Sequence, residues 1–557
     1  MYALGLGATS NRPAAEPESP YWLWERPLPT ATICDTELIR FREHPFRRGP
    51  SAANVTRTLT PVHYRFIQEC AQLVTTYNVT LGSLVAAFAA ILSQTAKGAE
   101  LGYVTVVSQA CYQQTDWKPV VDALIAKHAG EVLQYDKSVT EIIPALQQRF
   151  PRFVCFVCLP TEAAREFVAE VHRLTRQLDE DPYTDAIWGI VTGYDAACAL
   201  RIAQQADPLE IHRVAAGTDI ELSLCEEGVW YCELNRGKMV RKLAGKPPEP
   251  QQGPSDTTQA LVETLNDYHA QLFVTSGHAT ERDWQIGFRY RNGQFRSEQG
   301  QLVGIDTRGE RFPIHSENPK VYLAVGNCLM GHIDGPDAMA LAFLNSAGVC
   351  QMAGYTVPTW YGYGGWGLLD YFLEQPGRFT AAEAFFANQQ ALVHRLKTHF
   401  PDLQDTASVD DEQAFTGPLP AAASKAGLNW NDARGLLFDR DVVAFYGDPA
   451  WVARLAAGSL SWEQQLTVTD DQYCFEVKPL RGADSFRPLN VNGSQRGGRP
   501  IICFLPQRIQ AASVQVIEGS DLQPLITDNF VLLPLPESCD PERVYRISFR
   551  ADRVDTP

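Results

Sequence analysis

No apolar run in this 557-residue chain is long enough to cross a membrane. The longest, Leu81 to Leu92, covers about a dozen residues where a span needs roughly 20, and Gly82 and Ser83 lie within it, so it reads as a buried helix. No basic segment followed by an apolar stretch opens the chain, so no signal peptide is legible. A complete chain is then expected in the cytoplasm; one whose signal peptide has been cut is expected outside it. An excess of positive charge is also missing: 48 Lys and Arg face 65 Asp and Glu, for a net charge of -17. Such a surface repels nucleic acid and anionic membranes and favours cationic substrates. A dinucleotide fingerprint is absent, because Leu4-Gly5-Leu6-Gly7-Ala8 lacks the full G-x-G-x-x-G run and no strand precedes it. The thirteen cysteines are odd in number and have no framework spacing. Cys155 and Cys158 form a C-x-x-C, but positions i and i+3 of a strand face opposite sides, so both read as buried free thiols. Three Asn-x-Ser/Thr acceptors, at Asn54, Asn78 and Asn492, matter only in a eukaryotic secretory setting.

What is present is the composition of an ordinary globular protein, 45% hydrophobic and 20% charged, with length for two to four domains. The first fifty residues are rich in Pro and Arg and lack periodicity. Pro61–Tyr77 and Thr80–Gln94 read as a helical pair, so residues 1–98 form an arm and helical extension, a candidate pro-segment. From Tyr103 strands and helices alternate: strands at Tyr103–Val107, Glu131–Tyr135 and Phe153–Leu159, a helix at Trp117–His128, and a capping box of Ser138 with Glu141. This alternation predicts β-α-β units and a parallel sheet. It fills residues 99–245, stops at a Pro-rich linker, Lys246–Pro254, and resumes over 246–458, where Thr380 and Glu383 form a second capping box. Residues 459–557 carry only short alternating strands, at Gln465–Val468, Tyr473–Val477, Ile501–Leu505, Ser513–Ile517, Val531–Leu533 and Val544–Phe549. That pattern predicts a small β-sandwich.

Two strand ends carry chemistry. Leu272–Gly277 is an apolar strand followed by His278, and Val321–Asn327 is another, followed by Cys328. Carboxyl ends of parallel strands are where ligands collect, and adjacent strands lie about 4.8 Å apart, so a thiol and an imidazole can meet there. The two residues stand about 50 positions apart, the interval between histidine and cysteine in caspases. Gly277-His278-Ala279 with Trp284 after it, Asn327-Cys328 with Gly331 after it, and Gly447-Asp448-Pro449 together resemble the gingipain-like cysteine peptidases.

The resemblance implies a three-layer α/β/α caspase–hemoglobinase-like core in two subdomains, followed by an immunoglobulin-like sandwich. It also implies a cysteine endopeptidase acting on a peptide or protein substrate without an organic cofactor or metal. Cys328 would be the nucleophile, His278 the proton carrier, and the backbone N–H groups of Ala279 and Cys328 the oxyanion hole. Family members have Gly where this chain has Ala279; a positive φ there would strain the alanine and impair activity. Asp181, Asp185, Asp195, Trp284 and Trp360 are the substrate-binding candidates. Two rivals remain: a non-catalytic binding or assembly module, and a metal-dependent hydrolase using His278, Asp283, His332, Asp334 and Asp337.

Overall fold

Apolar runs rich in Val, Ile and aromatics become strands here, and the capped amphipathic segments between them become helices. The computed structural model describes residues 102–404, 406, 412–536 and 538–554, all within one compact unit, Val85–Pro557. The Pro- and Arg-rich arm, the two helices placed at 61–77 and 80–94, and the acceptors Asn54 and Asn78 lie outside the described residues.

The first strands are β1 (Tyr103–Ser108), β2 (Glu131–Tyr135), β3 (Phe153–Val157) and β4 (Ile187–Val191). A short strand β5 (Leu209–Ile211) precedes β6 (Arg213–Ala216), β7 (Glu227–Tyr231), β8 (Lys238–Lys242) and β9 (Glu249–Gln252). Next comes β10 (Leu272–Gly277), and then a separate four-stranded antiparallel sheet of β11 (Asp283–Gln285), β12 (Gln294–Glu298), β13 (Gln301–Ile305) and β14 (Arg311–Ile314). The core closes with β15 (Lys320–Asn327), β16 (Val349–Tyr355), β17 (Val443–Tyr446) and β18 (Ala453–Leu455), the last paired with β5.

Twelve of these strands make one sheet in the order β2-β1-β3-β4-β17-β16-β15-β10-β6-β7-β8-β9. It consists of two blocks of parallel strands that run in opposite directions, β2-β1-β3-β4-β17 and β16-β15-β10-β6-β7, with β8 and β9 added antiparallel at the second block's edge. β17 is parallel to β4 but antiparallel to β16, so it joins them and marks the reversal. All residues of β1, β4, β10, β16 and β17 are buried, as strands covered on both faces must be. Both capping boxes form, at Ser138 with Glu141 and at Thr380 with Glu383. The sheet divides earlier than the composition change at 246, because β6 to β9 stand beside β10 in the second half. The Lys246–Pro254 linker also contains a strand: β9 is an exposed edge on β8, a place where a proline is tolerated.

Seven more strands follow: β19 (Trp462–Thr469), β20 (Gln472–Pro479), β21 (Ile501–Phe504), β22 (Gln515–Glu518), β23 (Leu525–Ile526), β24 (Phe530–Leu533) and β25 (Tyr545–Arg550). They form two antiparallel sheets, β19-β20-β25-β22 and β21-β24-β23. Tyr473, Phe475, Ile547 and Phe549 from one and Ile501, Val531 and Leu533 from the other share a single apolar core. Among the described residues no helix is long and apolar enough to cross a membrane.

Candidate active site

β10 and β15 pair in parallel with Gly277 opposite Asn327, so the next residues, His278 and Cys328, leave the sheet side by side. A bulge opposite Thr275 and Ser276, with Val325 as the extra residue, re-aims the end of β15. Asn327 fastens the two ends together. It is fully buried; its Nδ2 donates to the Gly277 carbonyl at 3.1 Å, and its Oδ1 accepts the Thr275 hydroxyl at 2.6 Å. The Tyr322 hydroxyl backs Thr275 at 2.8 Å, which completes a satisfied polar chain inside the sheet.

Cys328 is half-buried, and the Thr359 N–H points at its Sγ from 3.2 Å. The Thr359 hydroxyl also donates to the Asn327 carbonyl at 2.9 Å, so this loop is fixed against the strand end at two points. Leu329, directly after the cysteine, has φ 56, a left-handed conformation costing about 1 kcal/mol or more for such a side chain. His278 is exposed, and its ring stacks on Phe288 with centroids 4.5 Å apart. Phe288 is held in turn by its N–H donating to the Glu233 carbonyl at 2.7 Å. No hydrogen bond joins His278 to Cys328.

The residue that needs glycine here is Gly277, at φ 105. Ala279 is not among the positive-φ residues, so its Cβ brings no strain. It faces Trp284 in an antiparallel bridge whose flanking bonds run from Gln285 N–H to His278 O (2.9 Å) and from Thr280 N–H to Asp283 O (2.8 Å). That makes Ala279 the non-hydrogen-bonded member of the pair, with its own N–H turned away from Trp284.

The sequence reading missed Glu233. It stands two residues past β7, on the same edge as His278, and is buried. Burial pushes its carboxyl up to about 7, opposed by the Thr218 and Ser276 hydroxyls. Thr218 donates to Oε1 at 2.8 Å, while Oε2 is buried without a hydrogen bond. An ideal Cβ on Gly277 would lie 3.7 Å from Oε2, so this carboxylate borders the residue before His278. The available signal was an acidic residue closing an apolar strand at a carboxyl edge.

The substrate-binding candidates scatter. Trp284 is fully buried, its Nε1 donating to the Ser276 carbonyl at 2.9 Å, so it braces β10 and is not a pocket wall. Asp195 lies on the opposite edge, where it caps the helix Ala196–Gln204 by accepting the Cys198 N–H at 2.8 Å, so it too is corrected to a structural role. Asp181 and Asp185 precede β4 on the same edge as Cys328, but three strands away, about 14 Å. Asp181 accepts the Tyr183 N–H and Asp185 the Leu178 N–H, while Asn529 and Arg508 of the C-terminal sheets bind the Asp185 carbonyl. They line a domain contact and do not face the cysteine. Trp360 follows Thr359, whose N–H points at the Cys328 sulfur, and is 70% exposed.

The metal-hydrolase set does not converge. Asp334 is paired bidentately with Arg282, Asp283 faces Arg296, and Asp337 accepts the Gln299 N–H. Among the described residues the one acidic or ligating group with metal-like spacing is Asp179, Asp185 and Asp528, at the domain contact. Cys155 and Cys158 are free and buried, as expected. No protein-family model, curated protein or solved structure matches this chain at a significant level.

Proposed function

We propose that this chain is a cysteine peptidase with a caspase–hemoglobinase-like core and an immunoglobulin-like C-terminal sandwich. One observation carries the reading: the Gly277–Asn327 register sets His278 and Cys328 side by side at an open strand edge, with a backbone N–H on the sulfur. The opposed half-sheets and the motifs resembling gingipains support the same conclusion.

In the proposed reaction the Cys328 thiol gives its proton to His278 and the sulfur attacks the scissile carbonyl carbon, so that an S–C bond forms. The carbonyl oxygen takes the negative charge and is met by the N–H groups of Ala279 and Cys328; losing one such donor costs on the order of 100- to 1000-fold. His278 delivers a proton to the leaving amine as the C–N bond breaks. Water then cleaves the thioester, giving its proton to His278 and restoring the thiol. Catalytic pairs are often looser without substrate and tighten in the Michaelis complex, so the absent His278–Cys328 hydrogen bond is compatible with this chemistry.

The deciding experiment measures cleavage of a peptide library by the native chain and by Cys328→Ala, with mass-spectrometric mapping of the alkylated thiol. Turnover lost in the variant, with Cys328 the thiol labelled fastest, is the expected result. Turnover that survives the substitution overturns the proposal.

A further inference from the structure

The loop joining β20 to β21 leaves the C-terminal sheets and reaches the candidate site. Its base is a buried ionic clamp. Arg496 bonds Asp370 at 2.6 Å and Glu374 at 2.5 Å, and Arg499 bonds Asp370 at 2.7 Å and Asn388 at 2.8 Å. The Leu489 N–H donates to Glu374 at 2.8 Å, fixing the other end of the loop to the same carboxylate. Between these anchors the segment 490–494 bridges two banks of the site. On one bank Asn492 Nδ2 donates to the Thr218 hydroxyl at 3.0 Å and to the Asp219 carbonyl at 2.9 Å. Thr218 is the residue that donates to Glu233. On the other bank the Ser494 hydroxyl donates to the Tyr361 carbonyl at 2.8 Å, next to Trp360. The middle of the bridge rests on Trp366: a Cβ on Gly493 would collide with that indole, and one on Gly326 would lie 2.9 Å from its Nε1. Gly326 is two residues before Cys328, so the loop is packed against the nucleophile strand through a single ring.

Most of the segment's polar groups are engaged, yet Val491 at its tip is 73% exposed. Two other large apolar side chains are exposed around the site: Phe288, on which His278 stacks, and Trp360, beside the residue that bonds Cys328. Exposed apolar groups gathered around a polar centre mark a recognition surface.

We propose that segment 490–494 is a wall of the substrate cleft, and that Val491 and Trp360 contact an apolar side chain flanking the scissile bond of a peptide. The inference rests on the peptidase reading and adds a substrate feature to it: a bulky apolar residue near the cleaved bond. It also makes the C-terminal sheets part of the site. Val491 is a specificity residue and takes no part in the chemical steps.

The test compares the native chain with Val491→Asp, Val491→Ala and Asn492→Ala on paired peptides that carry Leu or Gly beside the scissile bond. Val491→Asp is expected to raise KM for the Leu peptide about tenfold, with little change for the Gly peptide or in kcat, as befits loss of a contact worth a buried apolar side chain. Asn492→Ala is expected to raise KM for both peptides by freeing the wall. The rate of Cys328 alkylation by iodoacetamide, a probe too small to need the wall, is expected to stay unchanged in every variant. Because Val491 is exposed, its variants should melt with the native chain. Native-like turnover in Val491→Asp with the KM for the Leu peptide unchanged overturns this inference and leaves the peptidase reading standing. A native chain that cleaves neither peptide overturns both.

Discussion

The two halves of the central sheet present two carboxyl edges, and comparing them shows what separates a site from a core. On the edge of β1, β3 and β4 the groups that could react are engaged or enclosed. Ser108 accepts the Cys111 N–H at 2.9 Å and donates to Glu162, and Asp195 caps a helix. Cys158 is enclosed, and burial, reinforced by Glu162, pushes its thiol well above the ordinary range. Cys111 nearby is pushed up to about 12, chiefly by burial. On the edge of β10 and β15 the same residue types are open: His278 is exposed, and Cys328 is half-buried with a backbone donor aimed at its sulfur. Both edges offer cysteine beside polar partners at strand ends. Access to solvent distinguishes them.

The comparison breaks most sharply at the thiols. Cys328→Ala should lower peptide turnover on the order of 10,000-fold, whereas Cys158→Ala should leave kcat/KM intact and cost about 1 kcal/mol in urea unfolding. Next comes the imidazole: His278→Gln should lose about 100- to 10,000-fold in kcat, read in the same assay. The backbone at the site gives a smaller contrast. Gly277→Ala, at φ 105, should cost about 1 kcal/mol and depress turnover, while Ala279→Gly should leave turnover within about threefold. On the opposite edge, Asp195→Ala should remove a helix cap worth about 1 kcal/mol with no kinetic effect, visible only as a lower melting temperature.

The last contrast is a pH dependence. Glu233 has a folded pKa of about 7 against an ordinary 4.5. Between these values the folded chain holds a proton that the unfolded chain has released, so its contribution to stability falls as pH rises from about 4.5 through 7. Glu233→Gln should cancel that decline, so the variant gains on the native chain in unfolding experiments at pH 7.5 compared with pH 5. Parallel curves for the two proteins would show that Glu233 carries its charge throughout.

Much of this was legible where the signal is local. Ser138 with Glu141 and Thr380 with Glu383 announce helix starts because each box closes within a single turn, and both form. Glu131–Tyr135 appears as a strand with the bounds its pattern gives. The strand ends before His278 and Cys328 could be located because an apolar run stops at a polar turn. Their pairing with each other depended on register, which only the folded sheet supplies. What stayed hidden was non-local. Nothing in Val443–Tyr446 says that it will lie between β4 and β16 and that the sheet reverses there. β9 was masked by its proline, and Glu233 by a sequence position far from both catalytic candidates. Asp195 and Trp284 were misassigned for one reason: residue type shows what a side chain can do, and the neighbours decide whether it is already committed.

The reversal strand β17 also governs how the chain is made. It is the last strand of the twelve to leave the ribosome, yet its place is the middle of the sheet. Until it arrives, β4 and β16 are two open edges built from residues that end up wholly buried, the kind of surface that pairs with other chains. A nascent chain released before Val443 therefore carries two adhesive borders, and one released after Tyr446 carries neither.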